Sequence, residues 1–203
     1  MLFPELDLPE GFRYESSFLT LDDERELLGR IAQLEFSRVE MRGGVAKRRT
    51  VHFGWTYGYD ARTSEPGAPI PDWLLPIRGR AASWADLDAG ALAEALVTEY
   101  TPGAPIGWHR DAPMFGDVIG ISLAGSCRMK FRPYVSPTAI AEATAAKKDL
   151  LKSGRPPRRA THEVELAPRS AYLMRGVVRR DFEHSIPPVD RLRYSITFRT
   201  MRR

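Results

Sequence analysis

Cysteine is nearly absent from this sequence, which has only Cys127 among its 203 residues. One cysteine cannot form an intrachain disulfide, so the chain is not a disulfide-stabilised scaffold, and we expect a reducing, cytoplasmic compartment. We interpret Cys127 as a small packing residue rather than a nucleophile. Long apolar runs are absent too, since no stretch approaches the roughly 20 residues that cross a bilayer. The first residues lack the pattern of a secretory signal. We therefore expect no association with a membrane.

The remaining composition is that of an ordinary folded protein. Hydrophobic residues make up 43% of the chain, as in soluble globular domains. Since no repeat, low-complexity tract or long linker divides the sequence, we expect one domain over residues 1–203. We also expect a monomer. Within it we assign an N-terminal arm and helix to 1–35, a hairpin to 36–60 and a barrel to 95–200. The net charge of +4 and the isoelectric point near 9.4 are compatible with a nucleic-acid partner but do not require one.

Short strands separated by glycine and proline turns dominate the second half of the chain, and helical patterns precede them. Thr20 is predicted to cap a helix over about 21–34, because leucine and isoleucine recur there at helical spacing. A second helix is predicted to be capped by Asp72, and a third is predicted over 139–151. This order of elements predicts an α+β, mainly β fold: a jelly-roll barrel supported by N-terminal helices.

Two histidines and one carboxylate have the order of a metal site. His109 and Asp111 stand two residues apart, so on an extended segment their side chains share one side. A second imidazole, from His184, would complete a set that leaves open positions and is typical of non-haem Fe(II) in oxygenases. His-x-Asp alone is a weak signal, because chance supplies many. The other two histidines, His52 and His162, have no partner at ligand spacing, and we assign them a structural or surface role.

The last strand of the sequence carries polar residues along one complete face. Tyr194, Ile196 and Phe198 alternate with a polar set that consists of Arg193, Ser195, Thr197 and Arg199. This polar face is either exposed to water or directed into the barrel, where guanidinium groups would bind an anion. The upstream histidines and Asp111 favour the second interpretation, because an Fe(II) site of this type needs an oxidisable co-substrate and 2-oxoglutarate is a dicarboxylate.

The predicted hairpin of residues 36–60 is basic and aromatic. Arg48 and Arg49 precede Trp55 and Tyr57. One interpretation is a solvated surface hairpin that its aromatic residues anchor to the core. The other is a flap whose arginines contact phosphates and whose aromatic rings stack on a base. The basic stretch 147–159 has the same two interpretations, a solvated surface or a rim that contacts phosphates.

Taken together, these motifs resemble the AlkB family of Fe(II)- and 2-oxoglutarate-dependent dioxygenases. The resemblance covers roughly residues 36–200. It depends on Tyr100-x-Pro-Gly, Gly107-Trp108-His109-Arg110-Asp111, Ile121-Ser122-Leu123, His184 and the strand Arg193–Arg199. It implies a double-stranded β-helix with N-terminal helices, in which His109, Asp111 and His184 bind iron. It further implies roles in binding 2-oxoglutarate for Tyr100, Arg193, Ser195 and Arg199, with Arg193 on the distal carboxylate and Arg199 near the carboxylate at the metal end.

The resemblance also implies an activity. Fe(II), 2-oxoglutarate and O2 would oxidise a methyl or alkyl group on a nucleobase of single-stranded DNA or RNA, releasing succinate, CO2 and an aldehyde. The predicted substrate contacts are Arg48, Arg49, Trp55 and Tyr57. Repair members of the family carry an acidic residue two positions after the metal aspartate, and Pro113 stands there in this sequence, so neutral adducts or another acid, such as Asp117, are expected. Two alternatives stay open: oxidation of a protein side chain, and a non-catalytic nucleic-acid-binding module.

Overall fold

The computed structural model describes residues 8–41, 44–58, 63–136 and 161–202. Three helices lie in these ranges: α1 (Leu21–Ile31), α2 (Leu75–Trp84) and α3 (Val177–Asp181). The strands of the first half are β1 (Phe12–Glu15), β2 (Ser37–Met41), β3 (Gly44–Gly58), β4 (Thr63–Pro66), β5 (Leu92–Tyr100) and β6 (Ile106–His109). Those of the second half are β7 (Phe115–Leu123), β8 (Cys127–Pro133), β9 (His162–Leu166), β10 (Ala171–Met174), β11 (Phe182–Ile186) and β12 (Arg193–Met201).

The strands form two antiparallel sheets. The larger has the order β1-β10-β7-β12-β5-β3-β2, with β4 paired to β3 beyond this path, and the smaller has the order β6-β11-β8-β9. Strands from distant parts of the sequence are therefore neighbours, which is the arrangement of a jelly-roll barrel. The strand β12 lies between β7 and β5 in the larger sheet, so both of its edges are paired and its side chains are held in place.

Helices cover the outer face of the larger sheet. Ile31 of α1 and Ala81 of α2 belong to the same buried cluster as Val97, Ile196 and Phe198 of the sheet. The inner face of the larger sheet packs at one end against the smaller sheet, in a second cluster that contains Tyr100, Val118, Met129, Phe131 and Tyr172. The alternation of β12 is thus explained: its apolar residues face the helices and its polar residues face the space between the two sheets.

Two helix predictions can be compared directly with the structure. Thr20 caps α1 as predicted, since its hydroxyl accepts from the Asp23 amide at 3.1 Å and the Asp23 carboxylate accepts from the Thr20 amide at 2.9 Å. The helix ends at Ile31, three residues earlier than predicted. The prediction that Asp72 caps the second helix was wrong, because Asp72–Leu74 forms a 3-10 turn and the N-cap of α2 is Leu74, without a side-chain hydrogen bond.

The predicted hairpin is part of the larger sheet in the structure. The strand β3 is 15 residues long, and its residues 49–54 pair with β5. At Gly54 the backbone has φ +80°, and from Trp55 onward the strand pairs with β4 instead. Glycine fits this bend because it adopts positive φ without steric conflict. The predicted turn at Gly43, the predicted helix over 139–151 and the basic stretch 147–159 lie outside the described residues.

Candidate active site

A cavity of about 840 Å³ opens between the two sheets. The polar side chains of three neighbouring strands line it: Arg193, Ser195, Thr197 and Arg199 from β12, Thr98 and Tyr100 from β5, and Arg48, Thr50 and His52 from β3. The end of β6, with His109 and Asp111, and His184 of β11 also line it. Its volume lies within the range of about 300–1,000 Å³ that is common for ligand sites. The arginine face of β12 therefore points inward.

The structure brings His109, Asp111 and His184 together as a candidate metal centre. His109 at the end of β6 lies opposite His184 of β11 in the antiparallel ladder, and Asp111 follows two residues later. The ligand atoms of the three side chains lie within 4.8 Å of one another. His109 Nδ1 donates to the carbonyl oxygen of Gly107 at 2.9 Å, which leaves Nε2 as the ligand atom, as is usual for histidines that bind metals.

Asp111 has one oxygen that is hydrogen-bonded and one that is not. Its Oδ1 accepts from Arg199 Nη2 at 2.9 Å. Its Oδ2 is buried, has no hydrogen-bond partner among the described residues and lies 3.7 Å from His184 Nε2. Burial alone would raise the pKa of Asp111, but the Arg199 guanidinium and the two imidazoles hold that pKa well below its ordinary value. A buried, ionised oxygen without a donor fits a cation between the three side chains.

His184 is held in its neutral form. Burial, and next the proximity of His109, lower the pKa of His184 to about 3. The imidazole therefore keeps a free lone pair over the whole neutral range, which is the form that binds metals. Together with the carboxylate of Asp111, this supplies the donor set of two nitrogens and one oxygen that suits Fe(II).

Arg193 is a buried cation at the other end of the polar face. It is 1% exposed, and its Nε donates to Ser122 Oγ at 3.0 Å. Its guanidinium carbon lies 4.9 Å from the centre of the Tyr100 ring. Its Nη1 has no hydrogen-bond partner within the described part of the chain. A buried donor without an acceptor is costly, so the cavity fits an anion at this end.

Small hydroxyl side chains lie between the arginine end and the metal end. Ser195 is buried and is the cross-strand neighbour of Thr98 on β5 and of Ser122 on β7. Tyr100 is likewise buried, and this burial raises the pKa of its phenol, which therefore stays protonated and can donate a hydrogen bond. The residues to which the resemblance assigns binding of 2-oxoglutarate thus line one wall.

The predicted substrate residues do not all reach the cavity. Arg48 lines it, whereas Arg49 points to the opposite face of β3, where its Nε and Nη2 donate to the Glu99 carboxylate at 2.8 and 3.1 Å. Trp55 is half-buried and lies beyond the bend at Gly54, outside the lining of the cavity. The side chain of Tyr57 lies outside what the structure describes. Of the three of these side chains that the structure describes, Arg48, Arg49 and Trp55, only Arg48 lines the cavity, where it could contact a substrate.

Sequence reasoning missed two groups that the structure places in the cavity wall. His52, to which we assigned a structural or surface role, lines the cavity, and its Nδ1 lies 3.2 Å from Glu94 Oε1. Arg179 is buried and donates to the carbonyl oxygens of Gly116 and Phe115, both at 2.9 Å, so it fixes the loop that follows Asp111. The position of His52 could have been predicted from the sequence, because His52 shares the face of Arg48 on β3. No sequence pattern indicated the position of Arg179.

Arginine dominates the charge of the cavity wall. Seven arginines line it: Arg48, Arg110, Arg179, Arg180, Arg193, Arg199 and Arg202. The only carboxylates among the described lining residues are Asp111, which pairs with Arg199, and Glu183, which accepts from Arg132 Nε at 2.7 Å. Asp117, the alternative acid, does not line the cavity and pairs with Arg175 at 2.9 Å. This excess of positive charge favours anionic ligands.

Comparisons with known proteins agree with this geometry. The family model described as "2OG-Fe(II) oxygenase superfamily" matches residues 21–199. A curated protein of Arabidopsis thaliana, "Alkylated DNA repair protein ALKBH8 homolog", is 31% identical over 210 residues, an alignment that covers 98% of this chain. The chain spans 57% of the length of that relative.

Two solved structures share the fold. OsALKBH1 superposes with a TM-score of 0.70 at 16% identity, covering 95% of this chain and 98% of the other. A prolyl-4-hydroxylase of Pseudomonas putida superposes with a TM-score of 0.55, also at 16% identity, covering 95% and 93%. The predicted double-stranded β-helix fold is confirmed. Among the described residues, no helix is long and apolar enough to cross a membrane.

Proposed function

The chain belongs to the 2OG-Fe(II) oxygenase superfamily, and from that premise we propose that it removes alkyl groups oxidatively from nucleobases in DNA or RNA. The cofactors of the family are Fe(II), 2-oxoglutarate and O2. The observation that carries the proposal is the arginine-rich cavity wall around the His109–Asp111–His184 group, because a polyanionic substrate needs positive charge around the reacting centre. The name of the Arabidopsis relative, an alkylated DNA repair protein homolog, supports the same substrate class.

In this proposal the two ends of the polar face have separate tasks. His109, Asp111 and His184 would hold Fe(II), and Arg193, with Tyr100 beside it, would hold the distal carboxylate of 2-oxoglutarate. Bound Fe(II) with 2-oxoglutarate and O2 supplies the oxidising power that converts the alkyl carbon to an aldehyde, with succinate and CO2 as co-products. The chain contributes charge: the Nη1 donor of Arg193, which lacks a partner among the described residues, gains a carboxylate acceptor when 2-oxoglutarate binds.

Arginines near the opening would bind the phosphates of the strand. Arg110, Arg180 and Arg202 line the cavity and are exposed, and Arg48 is half-buried. Arg110 stacks at 3.6 Å over the ring of Tyr134, which also lines the cavity. Phosphate contacts of this kind orient a strand without selecting a sequence. A base would then leave the stack and enter the cavity, since an alkyl carbon inside a duplex is out of reach.

The charge of the cavity also limits which adduct fits. Pro113 offers no carboxylate, and both Asp111 and Glu183 already pair with arginines. Hence the described lining holds no free carboxylate that would stabilise a cationic base, and the surrounding arginines would repel it. We therefore propose that neutral adducts, such as N-methyl groups on uncharged bases or etheno rings, are better substrates than cationic methylated bases.

The experiment is a turnover assay on a panel of single-stranded DNA and RNA oligonucleotides that carry neutral or cationic alkyl adducts. Fe(II), 2-oxoglutarate and O2 are supplied, aldehyde and succinate are measured, and Asp111→Ala is the inactive control. We expect aldehyde from neutral adducts, and binding that weakens steeply between two salt concentrations because phosphates are contacted. No turnover of any oligonucleotide, with binding that is undetectable or independent of salt, would contradict the proposal and favour a protein side chain as the substrate.

A further inference from the structure

Glu94 is a buried carboxylate behind the candidate metal centre. It lies on β5 and is 1% exposed. Its Oε2 accepts from Arg199 Nη1 at 2.7 Å, and its Oε1 lies 3.2 Å from His52 Nδ1. A carboxylate so enclosed is tolerated only when it is paired and hydrogen-bonded. Glu94 meets both conditions. It pairs with Arg199, which also contacts Asp111, and it is hydrogen-bonded to His52, which lines the cavity.

Arg199 connects Glu94 to Asp111. Its Nη1 is bonded to Glu94 and its Nη2 to Asp111 Oδ1, at 2.7 and 2.9 Å. A guanidinium is planar, so contacts to both terminal nitrogens fix the plane of the group as well as its position. Asp111 Oδ1 is thereby held on Arg199, and Oδ2 is left 3.7 Å from His184 Nε2 without a hydrogen-bond partner among the described residues.

We propose that Glu94 is a positioning residue for the metal centre: it fixes Arg199, which in turn orients Asp111 so that Oδ2 faces the metal. This inference rests on the proposed function, in which Asp111 is a ligand of Fe(II). Ligating carboxylates generally depend on hydrogen bonds from outside the ligand set, and the loss of such partners weakens metal binding. Here the dependence extends one residue further, from Asp111 through Arg199 to Glu94.

The same carboxylate sets the hydrogen-bonding character of His52. The carboxylate oxygen accepts in this contact, so Nδ1 of His52 carries a hydrogen. The His52 ring also lines the cavity. Glu94 thus contacts Arg199, beside the metal ligands, through Oε2 and His52, in the cavity wall, through Oε1. Mutating His52 removes the second contact and leaves the first in place.

The chain offers a matched control on the same strand. Glu99 also lies on β5, is 6% exposed and pairs with an arginine, Arg49, at 2.8 Å. Its carboxylate further accepts from Tyr194 Oη at 3.3 Å on the outer face of the sheet. Removing either one therefore breaks an ion pair between a buried carboxylate of β5 and an arginine, but only the pair of Glu94 connects to Asp111.

The test compares the variants Glu94→Ala, Glu94→Gln, Glu99→Ala and His52→Ala in the full chain. Mn(II) is titrated calorimetrically in place of Fe(II), 2-oxoglutarate is titrated into the Mn(II)-loaded protein, and unfolding of the metal-free protein in urea reports stability. We expect Glu94→Ala to lose about 10- to 100-fold in Mn(II) affinity. Glu94→Gln should lose about 3- to 10-fold, because its amide oxygen still accepts from Arg199 but without the charge.

Glu99→Ala and His52→Ala should stay within about twofold of the wild type in Mn(II) affinity, because Glu99 pairs with Arg49 on the outer face and His52 contacts Oε1 of Glu94, whereas Arg199 is held by Oε2. Wild-type affinity in Glu94→Ala would overturn the proposal, as would an equal loss in Glu99→Ala or in His52→Ala. If Glu94→Ala does not fold, Glu94→Gln decides in the same way. A wild-type protein that binds neither Mn(II) nor 2-oxoglutarate would contradict the proposed function itself, which is a distinct result.

Discussion

Replacing Arg193 by methionine should affect stability and co-substrate binding in opposite directions. The guanidinium of Arg193 is buried, its Nε donates to Ser122, and its Nη1 has no acceptor among the described residues. In the ligand-free protein it is therefore a buried cation that meets no carboxylate within the described part of the chain. Methionine fills a similar volume without the charge. Such replacements of buried charges are often neutral or stabilising, by about 1–4 kcal/mol.

Binding of 2-oxoglutarate should instead collapse. The distal carboxylate would lose its partner in a partly dry site, and truncating one member of such a pair costs about 2–5 kcal/mol. At about 1.4 kcal/mol for each tenfold change, this corresponds to an affinity loss of about 30-fold to several thousand-fold. Iron binding should change little, because Arg193 lies at the other end of the polar face from His109 and Asp111.

Thermal unfolding in the presence of Mn(II), with and without 2-oxoglutarate, measures both effects. A ligand at 100 times its Kd stabilises the folded state by about 2.7 kcal/mol, so the wild type should melt at a higher temperature when 2-oxoglutarate is added. Without the ligand, Arg193→Met should melt at least as high as the wild type, and it should gain nothing when 2-oxoglutarate is added. Arg49→Met is the control, because Arg49 pairs with Glu99 on the outer face and should keep the full ligand effect. A ligand-induced shift of wild-type size in Arg193→Met would refute the reasoning.

Two further predictions concern stability. In the metal-free protein the pKa of His184 is about 3 instead of 6.5, so the unfolded chain binds a proton that the folded chain does not. The free energy of unfolding should therefore fall as the pH drops from 6.5 toward 3, by up to about 1.4 kcal/mol per pH unit. Urea unfolding of His184→Gln should show a flatter dependence on pH. An equal slope in the variant and the wild type would contradict the lowered pKa of His184. Gly54→Ala should destabilise by about 2–5 kcal/mol, because φ is +80° and the added carbon would overlap the carbonyl of Ala93. Gly29→Ala, in an open position of α1, should be neutral or stabilising in the same melts, and a Gly54→Ala protein as stable as the wild type would show that the bend is not required.

The grouping of polar residues on one face of β12 could be predicted from the sequence because it depends on local periodicity, and the upstream histidines and Asp111 favoured the inward direction of that face. Arg199 lies six positions after Arg193 on one strand, and because this offset is even, alternation alone puts both side chains on one side. His109 and Asp111 are two positions apart, so the same alternation puts them on one side. Alternation does not determine whether His184, from a distant strand, lies opposite them. The structure pairs His184 with His109 across two strands, as the order of the motifs predicted.

What could not be predicted depends on register and on single bends. Whether Arg48 or Arg49 faces the cavity is decided by the pairing of β3 with β5, which places Arg49 opposite Glu99. The positive φ of Gly54 then moves Trp55 away from the cavity wall. The contact between His52 and Glu94 joins residues 42 positions apart, and neither residue has a local pattern that indicates the other. Long-range pairs of this kind require the fold to be known.

The measurement that tests the account most directly is the visible spectrum of the anaerobic protein with Fe(II) and 2-oxoglutarate. If His109, Asp111 and His184 hold the metal and Arg193 holds the co-substrate beside it, both additions together should produce a weak charge-transfer band, and neither alone should. Asp111→Ala, shown to be folded by circular dichroism, should lack the band. A band of wild-type strength in Asp111→Ala, or no band in the wild type, would contradict the account.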